Sequence, residues 1–76
     1  MSFVGINIKR IREKQNMNQC SLAEKVGITQ AALSQIERGT RNPSLQVGKE
    51  IADILGCSVE TLLSEKLDLA EIGERK

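Results

Sequence analysis

Seventy-six residues, 39% hydrophobic with a single aromatic, suffice for one small domain with a thin core, so oligomer formation is an expected supplement. No run of β-branched or aromatic residues alternates at period two and no apolar run approaches a membrane span, which excludes a sheet protein and a membrane helix. The net charge is +1; with no histidine and two distant cysteines the usual zinc spacings are excluded, no metal or cofactor is expected, and the lack of a signal-peptide pattern predicts a cytoplasmic location.

From about Phe3 to Gln15, Val4, Ile8 and Ile11 recur at i, i+4 and i+7, predicting an amphipathic first helix that ends near Asn16. Asn18 is a good N-cap for a second helix, in which Leu22, Ala23 and Val26 form one apolar stripe before Gly27 stops it. Thr29 caps a third helix whose apolar positions, Ala32, Leu33 and Ile36, leave Gln30, Ala31, Ser34 and Gln35 on the outer face. Two short helices joined by a turn of three or four residues containing glycine form the helix-turn-helix unit, whose second helix enters the DNA major groove. Residues Met17 to Gly39 therefore predict a DNA-binding protein.

A fourth helix follows Pro43-Ser44, with Ser44 as cap, Leu45, Ile51, Ala52 and Leu55 on its inner face and Gly56 at its end. Ser58 caps a fifth, in which Val59, Leu62 and Leu63 are expected to be buried and Glu60 suits the first turn. The expectation is an all-α, five-helix domain over residues 1–65, followed by an acidic tail over residues 66–76.

Charge is divided along the chain. Residues 1–43 carry seven basic groups against three acidic, and the remainder four basic against seven acidic, so the first part is +4 and the second −3. A basic segment containing the two-helix motif is drawn to phosphate, and the acidic segment is expected to face away from it. Cys57 reads as a packed thiol. Cys20, in the first turn of the second helix, has only the helix N-terminus beside it to lower its pKa, which leaves little support for a redox role.

The ordered set Ile8, Arg12, Asn18-Gln19, Leu22-Ala23, Gly27, Gln30, Ile36-Glu37-Arg38-Gly39, Asn42-Pro43-Ser44, Ile51-Ala52 and Leu55-Gly56 resembles the phage Cro and CI repressor family. The resemblance runs from Gly5 to Leu63 and extends to the controller proteins of restriction-modification systems. It implies the lambda-repressor-like fold, with the helix-turn-helix at the second and third helices. It also implies base contacts from Gln30, Ala31, Ser34 and Gln35, a pairing that suits Gln30 and adenine. Asn18, Gln19, Thr29, Arg41 and Asn42 are implied as contacts to the DNA backbone. Arg12 and Glu37 are implied as an ion pair joining the first helix to the end of the third. No nucleophile, histidine or metal ligand accompanies that pair, so no enzyme is expected.

Two departures from the family pattern stand out. Gly48 falls in the middle of the fourth helix, an unfavourable choice by about 1 kcal/mol against alanine that calls for compensation. Val47 and Ile54, with Leu67, Leu69 and Ile72 of the tail, make more apolar surface than one small chain readily buries. Either the tail folds back over that stripe or these residues form a two-fold dimer interface; the dimer is favoured, because symmetric repressors read palindromes. The function expected is that of a regulator of transcription which reads a palindromic operator in double-stranded DNA as a homodimer. The alternative is an antitoxin or protein-interaction module whose tail holds a partner.

Overall fold

Side-chain caps set where the helices begin. In this computed structural model, which describes residues 3–65, the elements are α1 (Val4–Lys14), α2 (Gln19–Val26), α3 (Gln30–Arg38), α4 (Leu45–Leu55) and α5 (Val59–Leu63), with no strand among the described residues. Asn18, Thr29, Ser44 and Ser58 adopt extended backbone and accept the N–H of Ser21, Ala32, Val47 and Thr61 at 2.7, 3.0, 3.1 and 3.1 Å. Each such cap satisfies one orphan donor and is worth about 1 kcal/mol. α1 starts without one, at Phe3.

The turn between α2 and α3 is Gly27, Ile28 and Thr29. Gly27 sits in the left-handed region at φ 88°, and the N–H groups of Gly27 and Ile28 both reach the Ala23 carbonyl, at 2.9 and 3.0 Å. A side chain at that φ is strained, so glycine lets α2 end abruptly and α3 start at a new angle. Asn16, at φ 58°, closes α1 as its residue type predicts.

The core joins Ile8 and Ile11 of α1, Leu22, Ala23 and Val26 of α2, Leu33 and Ile36 of α3, Ile51, Ala52 and Leu55 of α4, and Leu62 of α5. α3 packs on α1 and α2, while α4 packs on α2 and α5 on α1. Thus α1 and α2 form the platform from which α3 projects. Gly5 permits this: a Cβ there would clash with the Ile36 carbonyl oxygen and lie 2.8 Å from that of Glu37. Asn7, 2% exposed, was not legible as a structural residue; its amide donates to the carbonyls of Leu62 and Ser64 at 2.8 and 2.7 Å, tying α1 to the end of α5.

Four apolar residues depart from expectation. Leu45 is 85% exposed and Leu63 58% exposed, rather than buried. Leu45 does share a stripe with Gly48 and Ala52, but Gly48 has no side chain to continue the packing. An open apolar groove of about 360 Å³ remains, lined by Val4, Pro43, Leu45, Gly48, Val59, Leu62 and Leu63. In the five-residue α5 only Leu62 points fully inward, and Leu63, one residue on, stands at the groove's rim. Conversely, Val47 and Ile54, expected as surplus surface, are half-buried and pack against the core. Val47 lies one turn before Ile51 on the inner stripe and lines a different groove, with Ile28, Ala32 and Ile36. Leu67, Leu69 and Ile72, also expected at an interface, lie outside the described residues.

Candidate nucleic-acid interface

The outward face of α3 is built by exclusion. Leu33 and Ile36 turn inward with Glu37, so the residues at i and i+4 around the other side, Gln30 with Ser34 and Ala31 with Gln35, share one face. Gln30, Ala31 and Gln35 are exposed and Ser34 is half-buried. Among the described residues, the side chains of Gln30 and Gln35 form no hydrogen bond to protein, so both amides keep a donor and an acceptor for a base edge. Arg38, exposed and four residues after Ser34, extends this face with a positive charge. The sequence places Arg38 in the family pattern without implying a contact for it, although its spacing was the available signal.

The caps leave the right chemistry facing out. Asn18 Oδ1 and Thr29 Oγ1 accept N–H groups of their own helices, which leaves the Asn18 amide N–H and the Thr29 hydroxyl hydrogen as donors. A phosphate oxygen only accepts, so donors are what it requires. The first-turn N–H groups and the positive end of each helix dipole add to this. After α3, Thr40 closes the helix through its N–H and hydroxyl to the Gln35 carbonyl, at 3.0 and 3.2 Å, and Arg41 and Asn42 follow on the surface. Lys9, Arg10, Lys25 and Arg41 are exposed on the basic part of the chain, while Glu50, Asp53 and Glu60 lie on α4 and α5, the helices that pack least on α3.

Behind the face lies one charged pair. Arg12 and Glu37 are 7% and 8% exposed, with Arg12 Nε donating to Glu37 Oε2 at 2.8 Å and Nη2 to Oε1 at 3.1 Å. The fork is two-pronged, which suits a desolvated carboxylate. Arg12 Nη1 also donates to the Met17 carbonyl at 2.7 Å, and Gln19 Nε2 to Glu37 Oε1 at 2.9 Å. Gln19 therefore spends one donor inward, unlike its neighbour Asn18.

The remaining chemistry is sparse. Cys20 is exposed, whereas Cys57 is half-buried and burial pushes its thiol up. Among the described residues, no group of histidine, cysteine and carboxylate side chains could hold a metal, and no helix is long and apolar enough to cross a membrane.

Known proteins are similar to this chain in sequence and fold. A helix-turn-helix family model matches residues 8–62. The transcriptional regulator SinR of Bacillus subtilis is 41% identical over 65 residues, which are 84% of this chain and 59% of SinR. The immunity repressor of Bacillus phage phi105 is 37% identical over 68 residues, 90% of this chain and 47% of the repressor. A solved structure of SinR in complex with DNA is similar at a TM-score of 0.75 and 39% identity, covering 80% of this chain and 98% of that one. The chain thus spans roughly half to three-fifths of these two regulators' length. With the match spanning the core, both caps of the two-helix unit and the Arg12–Glu37 pair, the chain belongs to the Cro/CI-type helix-turn-helix family.

Proposed function

We propose that this protein is a sequence-specific regulator of transcription that binds double-stranded DNA, reading base edges with Gln30, Ala31, Ser34 and Gln35 of α3. The observation that carries the reading is the unpartnered amide pair on the exposed face of α3, set beside capping residues whose free groups are donors. Asn18, Thr29, Arg41 and Asn42 hold the backbone on either side with their side chains, Gln19 does so through its main-chain N–H while its side chain is turned to Glu37, and Arg38 continues the face toward it. Base contacts specify and phosphate contacts fix register.

The operator is palindromic and the protein binds it as a homodimer. One recognition helix per chain covers one half-site, and two half-sites joined in one assembly bind far more tightly than either alone. The apolar groove between α1, α4 and α5 supplies the contact in this reading, with Leu45 and Leu63 at its rim. It adjoins Asn42, Pro43 and Ser44, the loop that follows α3, so a second copy seated there lies next to the DNA face. Val47 and Ile54, turned toward the core, contribute less than their sequence positions implied.

Selection from a random duplex pool at fixed salt tests the proposal. The account expects enrichment of a two-fold symmetric sequence with half-site centres about one helical turn, ~34 Å, apart. A pool that stays random after repeated rounds contradicts it.

A further inference from the structure

The buried charged pair reaches beyond the two helices it joins. Glu37 accepts three hydrogen bonds, two from Arg12 and one from the Gln19 amide, and Arg12 donates its remaining bond to the Met17 carbonyl. Met17 and Gln19 flank Asn18, the cap of α2. The start of α2 is therefore held from both sides by a joint anchored in α1 and at the end of α3, independently of the glycine turn.

We propose that Glu37 is a positioning residue for DNA binding: by holding the Gln19 amide it fixes the first turn of α2 at the place and angle where that turn meets a phosphate. This rests on the DNA-binding reading above. The Gln19 side chain is half-buried and spends a donor on Glu37 at 2.9 Å, so it serves the protein's own geometry, while the phosphate receives the Asn18 amide and the first-turn N–H groups. A carboxylate behind an anion site would repel the anion. The two-pronged Arg12 fork offsets that charge, so the grip on Gln19 does not repel the phosphate. A turn already in its bound geometry loses less freedom on binding, worth roughly 3- to 10-fold in affinity for one side chain and its loop.

Gln19→Met tests this, because it removes the grip and leaves the Arg12–Glu37 pair intact, so the fold is retained. Two readouts are taken. One is amide hydrogen exchange in the free protein at Ser21 and Leu22, whose N–H groups bond Asn18 Oδ1 and the Asn18 carbonyl. The other is affinity for a random-sequence 20-base-pair duplex. The expected result is faster exchange at both amides, a 3- to 10-fold loss of affinity and an unchanged salt slope, since no charge is altered. Arg12→Met/Glu37→Met, which keeps Gln19 but takes away its acceptor, is expected to give the same two changes. A loss of affinity in Gln19→Met with exchange unaltered shows that Gln19 touches phosphate itself and overturns the proposal. Faster exchange with affinity unaltered, or no change in either, overturns it as well. If the unaltered protein binds no duplex, the DNA reading falls and the proposal with it; the exchange arm, which uses no DNA, shows separately whether the grip exists.

Discussion

Replacing Gly48 by alanine is expected to stabilise the protein, and the same change at Gly5 to destabilise it. In α4 the nearest atom to an added Cβ is Pro43 Cγ at 4.0 Å, an ordinary contact, and Gly48 has no left-handed backbone to preserve. The helix then gains the full difference in propensity, about 1 kcal/mol, because alanine has less freedom to lose on folding. For a domain of this size that raises Tm by roughly 4–8 °C. At Gly5 the added Cβ meets backbone, the carbonyl oxygens of Ile36 and Glu37, which cannot rotate aside as a side chain would. Forcing α1 away from α3 costs about 1–3 kcal/mol or more. Thermal unfolding followed by circular dichroism, at one low protein concentration so that association does not shift Tm, reads both. A lower Tm for Gly48→Ala refutes the argument that the groove beside α4 is open in the folded chain. An unchanged Tm for Gly5→Ala refutes the close approach of α1 to α3.

Glu37→Gln strands the buried Arg12 charge and is expected to cost about 3–5 kcal/mol, measured by urea titration, whereas Arg12→Met/Glu37→Met is expected to be near neutral. Gln30→Ala is expected to relax base preference at one position per half-site by about 1–3 kcal/mol; Arg41→Ala weakens binding to all duplexes and lowers the salt slope by about one, both read by fluorescence titration against salt. Because burial holds the Cys57 thiol proton above the usual 9.0, the folded state keeps that proton where the unfolded chain has lost it. The linked stability is whole below the unfolded pKa and declines as pH rises through the folded one, so urea titrations at pH 7 and pH 10 are expected to differ less in Cys57→Ala.

Elements whose boundaries are local chemistry were legible in the sequence. Four caps, a glycine at a left-handed position and stripes at helical spacing each follow from a few neighbouring residues, and they yield five helices in order. The outward face of α3 followed from the same periodicity, since what is not in the stripe is outside. Contacts set by tertiary approach were not legible. Nothing beside Asn7 in the chain says that its amide meets Leu62 and Ser64. Gly5 reads as an unfavourable helix residue until α3 is laid across it. Leu45 and Val47 were exchanged in role because both fit an apolar stripe, and only the gap left by Gly48 decides which one lacks a neighbour. The inward bond of Gln19 escaped notice because glutamine at a helix start reads equally well as a phosphate donor.

The central claim, that the outward face of α3 and the start of α2 meet DNA, is tested most directly by mapping backbone amide shifts on titration with the selected duplex. The account predicts the largest changes at Asn18, Gln19, Thr29, Gln30, Ala31, Ser34, Gln35, Arg41 and Asn42, with those of Glu50, Asp53 and Glu60 left in place. Changes centred on α4 and α5 and sparing α3 would contradict it.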